Sequence, residues 1–259
     1  MPRISVVIPS RLQENLNGHL EGVKTLWLDR AINSVFRQNT DAELEVVVGL
    51  SPGHPDIPDR FGDGITFVAA PRPGQAAAVN AAVNASKGDV LAFLEDDDYW
   101  RSLNKLAIQL PYLDAYKLVT SNQREVTFDG QFVRINDFAT PSGWLMRRKT
   151  WDEVGGFDES FRYHVDTEWL GRANQKIGAR VGDRVHLVES ACRNMRGRPW
   201  LVNVARHSSI NTHDEPDPLV ERMVNPEGGM ATIASDSVAA AQSVTEHRIM
   251  VERFGEVPW

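Results

Sequence analysis

The stretch Val90-Leu91-Ala92-Phe93-Leu94-Glu95-Asp96-Asp97-Asp98-Tyr99-Trp100 carries the reading of the fold. Five apolar residues in a row suit a strand covered on both faces. The four carboxylates that follow repel one another unless water or a cation offsets their charge. Hard divalent ions such as Mg²⁺ and Mn²⁺ prefer oxygen donors of this kind. An exposed acidic turn is the plain alternative. The place of the cluster, directly after an apolar strand, shifts the balance toward a site, because α/β sheets bind ligands beyond the carboxyl ends of their strands.

The same grammar extends on both sides. Ile4 to Ile8, stopped by Pro9, Leu44 to Val48, and Ile65 to Ala69 read as strands. Leu26, Leu28, Ala31, Ile32, Val35 and Phe36 recur at helical spacing. An alanine-rich helix runs from Gln75 to Ala85, entered through Pro71-Arg72-Pro73-Gly74, with Gly88 placed as its C-cap. Strands alternating with helices predict an α/β fold with a mainly parallel central sheet flanked by helices. The second half changes character, with short strands expected over Leu118 to Ser121, Glu125 to Phe128 and Gln131 to Ile135, turning at Asp129-Gly130. They predict a smaller mixed β region. Pro141 to Met146 reads as strand or loop, and helices are expected over Lys149 to Val154 and Asp166 to Ile177. Beyond Arg206 the chain is polar and proline-rich, then helical from Ser235 to Phe254. The expected division is two halves of one domain, 1–115 and 116–213, followed by a helical extension, 214–259, that docks on its own domain or on a partner.

Composition narrows the function. With 259 residues, 42% hydrophobic and 24% charged, the chain can bury a substantial core. A net charge of -7 counts against a protein that grips nucleic acid. A nucleotide ligand stays open, since a metal ion neutralises its phosphates. Cys192 is the one cysteine, which excludes an intrachain disulfide and favours a small buried residue over a reactive thiol. Ile4 to Pro9 is too short for a signal peptide, and no apolar run approaches the roughly 20 residues that span a bilayer. The expectation is a cytoplasmic protein, peripheral at a membrane surface if its substrate lies there.

Several further segments carry chemistry. Gly155-Gly156-Phe157-Asp158-Glu159 allows a tight turn, and Asp166-Thr167-Glu168-Trp169 opens a helix soon after. Asp166 is read either as that helix's N-cap or as a base that takes a proton from a hydroxyl. Arg206-His207-Ser208-Ser209-Ile210-Asn211 could contact a diphosphate or a metal, although a lone histidine is more often structural. Trp144, Tyr163, Trp169 and Trp200 offer aromatic faces for a ligand, against the competing reading of core packing. The loop Arg193 to Pro199 reads equally as a lid or as a solvated loop.

Taken in order, these segments resemble the family 2 glycosyltransferases of the GT-A fold. The resemblance rests on Val6-Val7-Ile8-Pro9, Ala31 to Gln38, Gly74, Asn80, Lys87-Gly88-Asp89, Val90 to Asp98, Gly155 to Glu159, Asp166 to Trp169 and Arg206 to Asn211, and covers roughly residues 4 to 213. It implies an inverting transfer from a nucleotide-diphosphate sugar, expected to be a UDP-sugar, to a hydroxyl on a glycan, a lipid-linked or a small acceptor, with Mn²⁺ or Mg²⁺ as cofactor. By the same resemblance Asp166 is the general base. Pro9, Ser10, Arg11, Arg72, Gln75, Asn80, Glu95 and Asp96 face the donor. Asp97, Asp98 and His207 serve the metal, and Trp144, Glu168 and Trp169 face the acceptor. Two registers of the acidic motif stay open, with Glu95 on ribose and Asp97 on metal, or Asp96 and Asp98 in those roles. Relatives carry Asp-Asp-Gly-Ser after the second strand where this chain has Gly49-Leu50-Ser51-Pro52, so the base of the nucleotide stays open. A sugar-phosphate nucleotidyltransferase and a non-catalytic nucleotide-sugar-binding domain are the competing readings.

Overall fold

The computed structural model describes residues 1–13, 26–62, 64–127, 129–136, 138–178, 200–204, 218–225 and 228–255. Its first half follows the alternation. Strand β1 (Arg3–Ser10) leads to helix α1 (Trp27–Phe36), β2 (Glu43–Leu50), β3 (Ile65–Ala69), α2 (Gln75–Ala85) and β4 (Val90–Phe93). A short β5 (Tyr99–Trp100) and α3 (Lys105–Gln109) follow. The second half supplies β6 (Leu118–Thr120), β7 (Gln123–Val126), β8 (Phe132–Asn136), β9 (Leu145–Arg147), α4 (Arg148–Val154), α5 (Val165–Ile177), β10 (Leu201–Asn203), β11 (Val220–Met223), α6 (Gly229–Ser235) and α7 (Ser237–Phe254).

Seven strands form the central sheet in the order β10-β6-β9-β4-β1-β2-β3. Parallel pairing of β1 with β2 and β4, and antiparallel pairing of β9 with both β4 and β6, leaves β9 alone reversed. A second, four-stranded mixed sheet runs β5-β11-β7-β8. The largely apolar strands are explained by cover on both faces. Val7, Val47, Leu91 and Phe93 face the core shared with α2, α4 and α5. Ile4, Val6, Ile8, Val46, Val48 and Ala92 face the core shared with α1. An aromatic stack fills the first core: Trp144 and Trp169 lie 5.1 Å apart, and Trp151 and Trp169 5.7 Å.

Three local expectations change. Helix α2 ends at Ala85 with an extended Ser86, so Gly88 is not its C-cap. A Cβ at Gly88 would sit 2.5 Å from Ser5 Oγ and 2.7 Å from Arg3 O, so glycine is needed there for close approach to β1. Asp166 lies inside the first turn of α5, whose N-cap is His164. The helix expected over Ser235 to Phe254 forms as α7, but a helix not expected, α6, precedes it, and the break between the two falls at Asp236. Its extended backbone lets Oδ1 accept from Val238 N (2.7 Å) and Ala239 N (2.9 Å), which starts α7 afresh. Helix α7 docks on its own domain, burying Met250 in the aromatic core beside α5.

Candidate active site

The chain leaves β4 at the carboxyl edge of the sheet and turns at once, with Asp98 N donating to Glu95 O (3.1 Å). This turn splits the four carboxylates by direction. Asp98 points inward and is 1% exposed, because Ser142 Oγ donates to its Oδ2 (2.5 Å) and Met223 N to its Oδ1 (2.9 Å). Asp96 turns to β1, accepting from Ser10 Oγ (2.6 Å). Asn225 Nδ2 donates to Asp97 Oδ2 (3.0 Å), and Gln75 Nε2 to Glu95 Oε1 (2.7 Å). The Asp97 carbonyl accepts from Arg30 Nη2 (2.7 Å), which ties the turn to α1.

Glu95, Asp97 and Asp98 each bring a carboxylate oxygen within 4.8 Å of the others. The charge cost of that convergence is visible in proton affinity. Burial, reinforced by Asp98 and Asp97, pushes the Glu95 carboxyl up to about 8. Burial and Asp97 push Asp98 up to about 7, and the same two causes push Asp96 up to about 7. A cluster of oxygen donors that holds protons this tightly suits a hard dication, whose charge replaces them. Asp96 stands outside the trio.

Two cavities meet at the turn. The first, about 150 Å³, is walled by Pro9, Ser10 and Arg11 after β1, Gln75 at the start of α2, and Glu95, Asp96, Asp97 and Asn225. The second, about 410 Å³, holds Asp166, Tyr163, His164, Arg222 and His247. Gln75, Glu95 and Gly229 line both. The acidic turn and Asp166 therefore border adjoining cavities that share three wall residues.

Asp166 is set by elements far apart in sequence. Gly155, at φ 92°, closes α4 through its N–H to Trp151 O (2.7 Å), and the chain turns back toward α5. Before α5 the backbone N–H groups of Arg162 (2.8 Å), Tyr163 (3.1 Å) and His164 (3.1 Å) all donate to the Glu246 carboxylate of α7. The Asp166 carboxylate then accepts from Thr167 N (2.9 Å). Burial holds its proton affinity above the usual carboxylate range, against the opposing pull of Thr167 N–H and the Arg222 charge.

Arg222 is one residue the sequence reading missed. It sits on β11, where its Nη1 donates to Glu125 Oε1 (2.8 Å). Burial alone would weaken its hold on the proton, but the charges of Asp98, Glu95 and Glu125 raise it above the ordinary arginine value. Ser142, Asn225, Glu246 and His247 were missed too. None belongs to a motif: the turn before β9 places Ser142, while pairing of β11 with β5 and β7 and docking of α7 bring the others here.

Several expected site residues lie elsewhere. Trp144 and Trp169 are 0% exposed, and their indole N–H groups donate to Ala139 O and Gly155 O (both 2.8 Å). They are core, with no face left for a sugar, and Trp200 is buried likewise. Glu168 is fully buried and paired to Arg172 (2.8 Å) and Arg253 (3.1 Å). Asn80 spends its amide on the turn after α4, donating to Phe157 O and Glu159 Oε1 (both 2.9 Å) and accepting from Phe157 N (2.8 Å). Arg72 is exposed and pairs with Glu159 (2.7 Å) outside both cavities. His207, Cys192 and the 193–199 loop lie outside the described residues.

Comparisons with known proteins agree with this architecture. The chain is similar in fold to the mannosyltransferase PcManGT from Pyrobaculum calidifontis, solved in complex with GDP-Man and Mn²⁺, at TM-score 0.61 and 15% identity, covering 99% of this chain and 66% of that one. It is similar also to S. aureus TarS in complex with UDP, at TM-score 0.54 and 13% identity, covering 96% and 70%. An uncharacterized glycosyltransferase of Nostoc sp. is 35% identical over 82 residues, which is 29% of this chain and 25% of that protein. The chain thus spans a quarter of that curated relative. The model of glycosyl transferase family 2 matches residues 24–172, from before α1 through the Asp166 turn of α5, and the chain belongs to that family.

Proposed function

We propose that this chain is a metal-dependent, inverting glycosyltransferase, with a nucleoside-diphosphate sugar in the smaller cavity and a hydroxyl acceptor in the larger one. One observation carries the reading: Glu95 walls both cavities, with the Asp97–Asp98 pair beside it on one side and Asp166 on the other.

The smaller cavity suits a donor. Ser10, Arg11 and Gln75 supply hydrogen-bond donors, and the uncapped first turn of α2 presents positive dipole to a pyrophosphate. Glu95, Asp97 and Asp98 would hold Mn²⁺ or Mg²⁺, which supplies positive charge against the leaving diphosphate. A UDP-sugar is the proposed donor, and the absence of the relatives' Asp-Asp turn leaves recognition of the base to Ser51 and its neighbours.

Asp166 takes the proton of the attacking hydroxyl. Its raised proton affinity makes it a stronger base than an exposed carboxylate. Arg222, between the two groups of acids, keeps the attacking side from accumulating unbalanced negative charge. A single displacement from the face opposite the leaving group inverts the anomeric carbon. Residues 1–115 would hold most of the donor, joined by Asn225 and Gly229, while 116–213 and the rest of 214–259 shape the acceptor side. Among the described residues no helix is long and apolar enough to cross a membrane. A cytoplasmic location, at a membrane surface when the acceptor is lipid-linked, is part of the same proposal.

The test is turnover of UDP- and GDP-sugars with and without Mn²⁺, with the anomeric configuration of the product read by NMR. Metal-dependent transfer with inversion is the expected result. Retention, or release of pyrophosphate from a nucleoside triphosphate and a sugar phosphate, overturns the proposal.

A further inference from the structure

The larger cavity has a charge pattern at odds with the chain's net charge of -7. Away from Glu95 and Asp166, its wall carries Arg134, Arg162, Arg222 and His247. These come from four separate elements: β8, the segment before α5, β11 and α7. Convergence of four basic groups from four elements is a feature of the tertiary structure.

Two of them, Arg134 and Arg162, stay open to a ligand. Arg134 (2.5 Å) shares the Glu125 carboxylate with Arg222 (2.8 Å), whose charge Asp98 and Glu95 offset further. Arg134 remains 61% exposed in its side chain, so it faces water and any occupant. Arg162 is exposed, has no ion-pair partner among the described residues, and lies over the Tyr163 ring (5.6 Å). Asp236, which feels the Arg162 charge, caps α7 without forming an ion pair with that arginine. A wall of guanidinium groups with spare N–H donors recognises phosphate or carboxylate. Asp166 repels such a group, so an anion on the Arg134–Arg162 side would leave the neutral part of the acceptor toward the base.

We infer that the acceptor is anionic: a molecule with a phosphate or carboxylate group held by Arg134, Arg162 and His247, and a hydroxyl facing Asp166. This rests on the glycosyltransferase reading above and adds the substrate class.

The test uses full-length protein loaded with Mn²⁺ and UDP. Binding of a hexose 6-phosphate, a hexuronate and a methyl hexoside is measured by calorimetry in the parent protein, Arg134→Gln and Arg162→Gln. Thermal unfolding shows that each variant folds, and Arg162, being exposed, tolerates the change even if Arg134 does not. At least one charged probe is expected to bind about ten-fold tighter than the neutral one, as charge-assisted hydrogen bonds imply. Each variant should erase most of that preference and leave the neutral probe unaffected. Preference for the phosphate over the uronate identifies a phosphorylated acceptor, and the reverse a uronate-type acceptor. Equal or stronger binding of the neutral probe, an unaltered preference in both variants, or no binding of any probe overturns the inference. Metal-dependent donor hydrolysis, measured in parallel, separates the two claims: if it persists, only the acceptor class falls, and if it is absent, the transferase reading falls with it.

Discussion

Glu246, on the last helix, accepts the backbone N–H of His164 at 3.1 Å, two residues before Asp166. The same carboxylate takes the N–H groups of Arg162 and Tyr163, and it is 3% exposed. The C-terminal helix therefore builds the approach to the proposed base. Glu246→Ala strands three N–H groups, each costing on the order of 1–3 kcal/mol when left unpaired away from water. It should lower Tm by several degrees and reduce kcat more than it raises the KM for donor. Glu246→Gln keeps an acceptor oxygen and should recover most of both. Loss of donor affinity with unchanged kcat would contradict this positioning role.

Asp166→Asn removes the base and keeps the shape. Nucleotide binding should stay within a few-fold of the parent value, while kcat falls by ~10² to 10⁴, the usual worth of general-base assistance. Rapid-quench measurement of the chemical step reads the difference. Transfer at the parental rate would remove Asp166 from the mechanism.

The acidic turn divides into two expected phenotypes. Asp97→Ala should weaken Mn²⁺-dependent nucleotide binding with little change in folding, because Asp97 is partly exposed. Asp98→Ala should also destabilise the fold, because it leaves the Met223 N–H and the Ser142 hydroxyl without an acceptor. Calorimetry with Mn²⁺ and UDP, paired with thermal melts, distinguishes them.

Metal-free protein should lose stability as pH rises. The folded-state affinities of Glu95 (about 8), Asp96 and Asp98 (about 7) stand above their ordinary values of 4.5 and 3.8. The folded state thus binds more protons between about pH 4 and 8, so its advantage is complete below that window and gone above it. Mn²⁺ replaces those protons, so its stabilisation should grow across the same window. Urea denaturation from pH 5 to 8.5, with EDTA or with Mn²⁺, checks the sign.

Lys105 predicts the opposite slope. Its ammonium is fully buried over the Trp100 ring (4.3 Å), held by Gln109 Oε1 (2.6 Å), and burial pulls its affinity from 10.5 down to about 7. Between those values the unfolded chain binds the proton better, so this group's penalty is complete below about 7 and fades as pH climbs toward 10.5. Lys105→Met should stabilise most at low pH, and its advantage should shrink with alkalinity. An advantage independent of pH would show that the ammonium is not what the fold pays to bury.

Much of this molecule was legible in one dimension. Largely apolar runs at Ile4 to Ile8 and Leu44 to Val48, interrupted only by Ser5 and Glu45 and each followed by a turn signal, mark strands covered on both faces, and those strands form as read. The acidic turn and the segment from Gly155 to Asp166 could be identified because each is a short run of chain with chemistry of its own. The Trp144 and Trp169 reading failed for a related reason. A tryptophan at a strand or helix position carries no local sign of whether its ring faces solvent or a neighbour, and here each faces the other.

What the order of residues determined by itself was the set of elements and the place where one sheet strand ends in carboxylates, since periodicity, turn chemistry and charge repulsion act between neighbours in sequence. What only tertiary structure decided was the company those carboxylates keep. Met223 reaches Asp98 across 125 positions, Glu246 reaches His164 across 82, and Arg222 enters through a four-residue strand with no motif of its own. Such contacts follow from which surfaces remain to be covered once the sheet has closed, and that is a property of the packed chain.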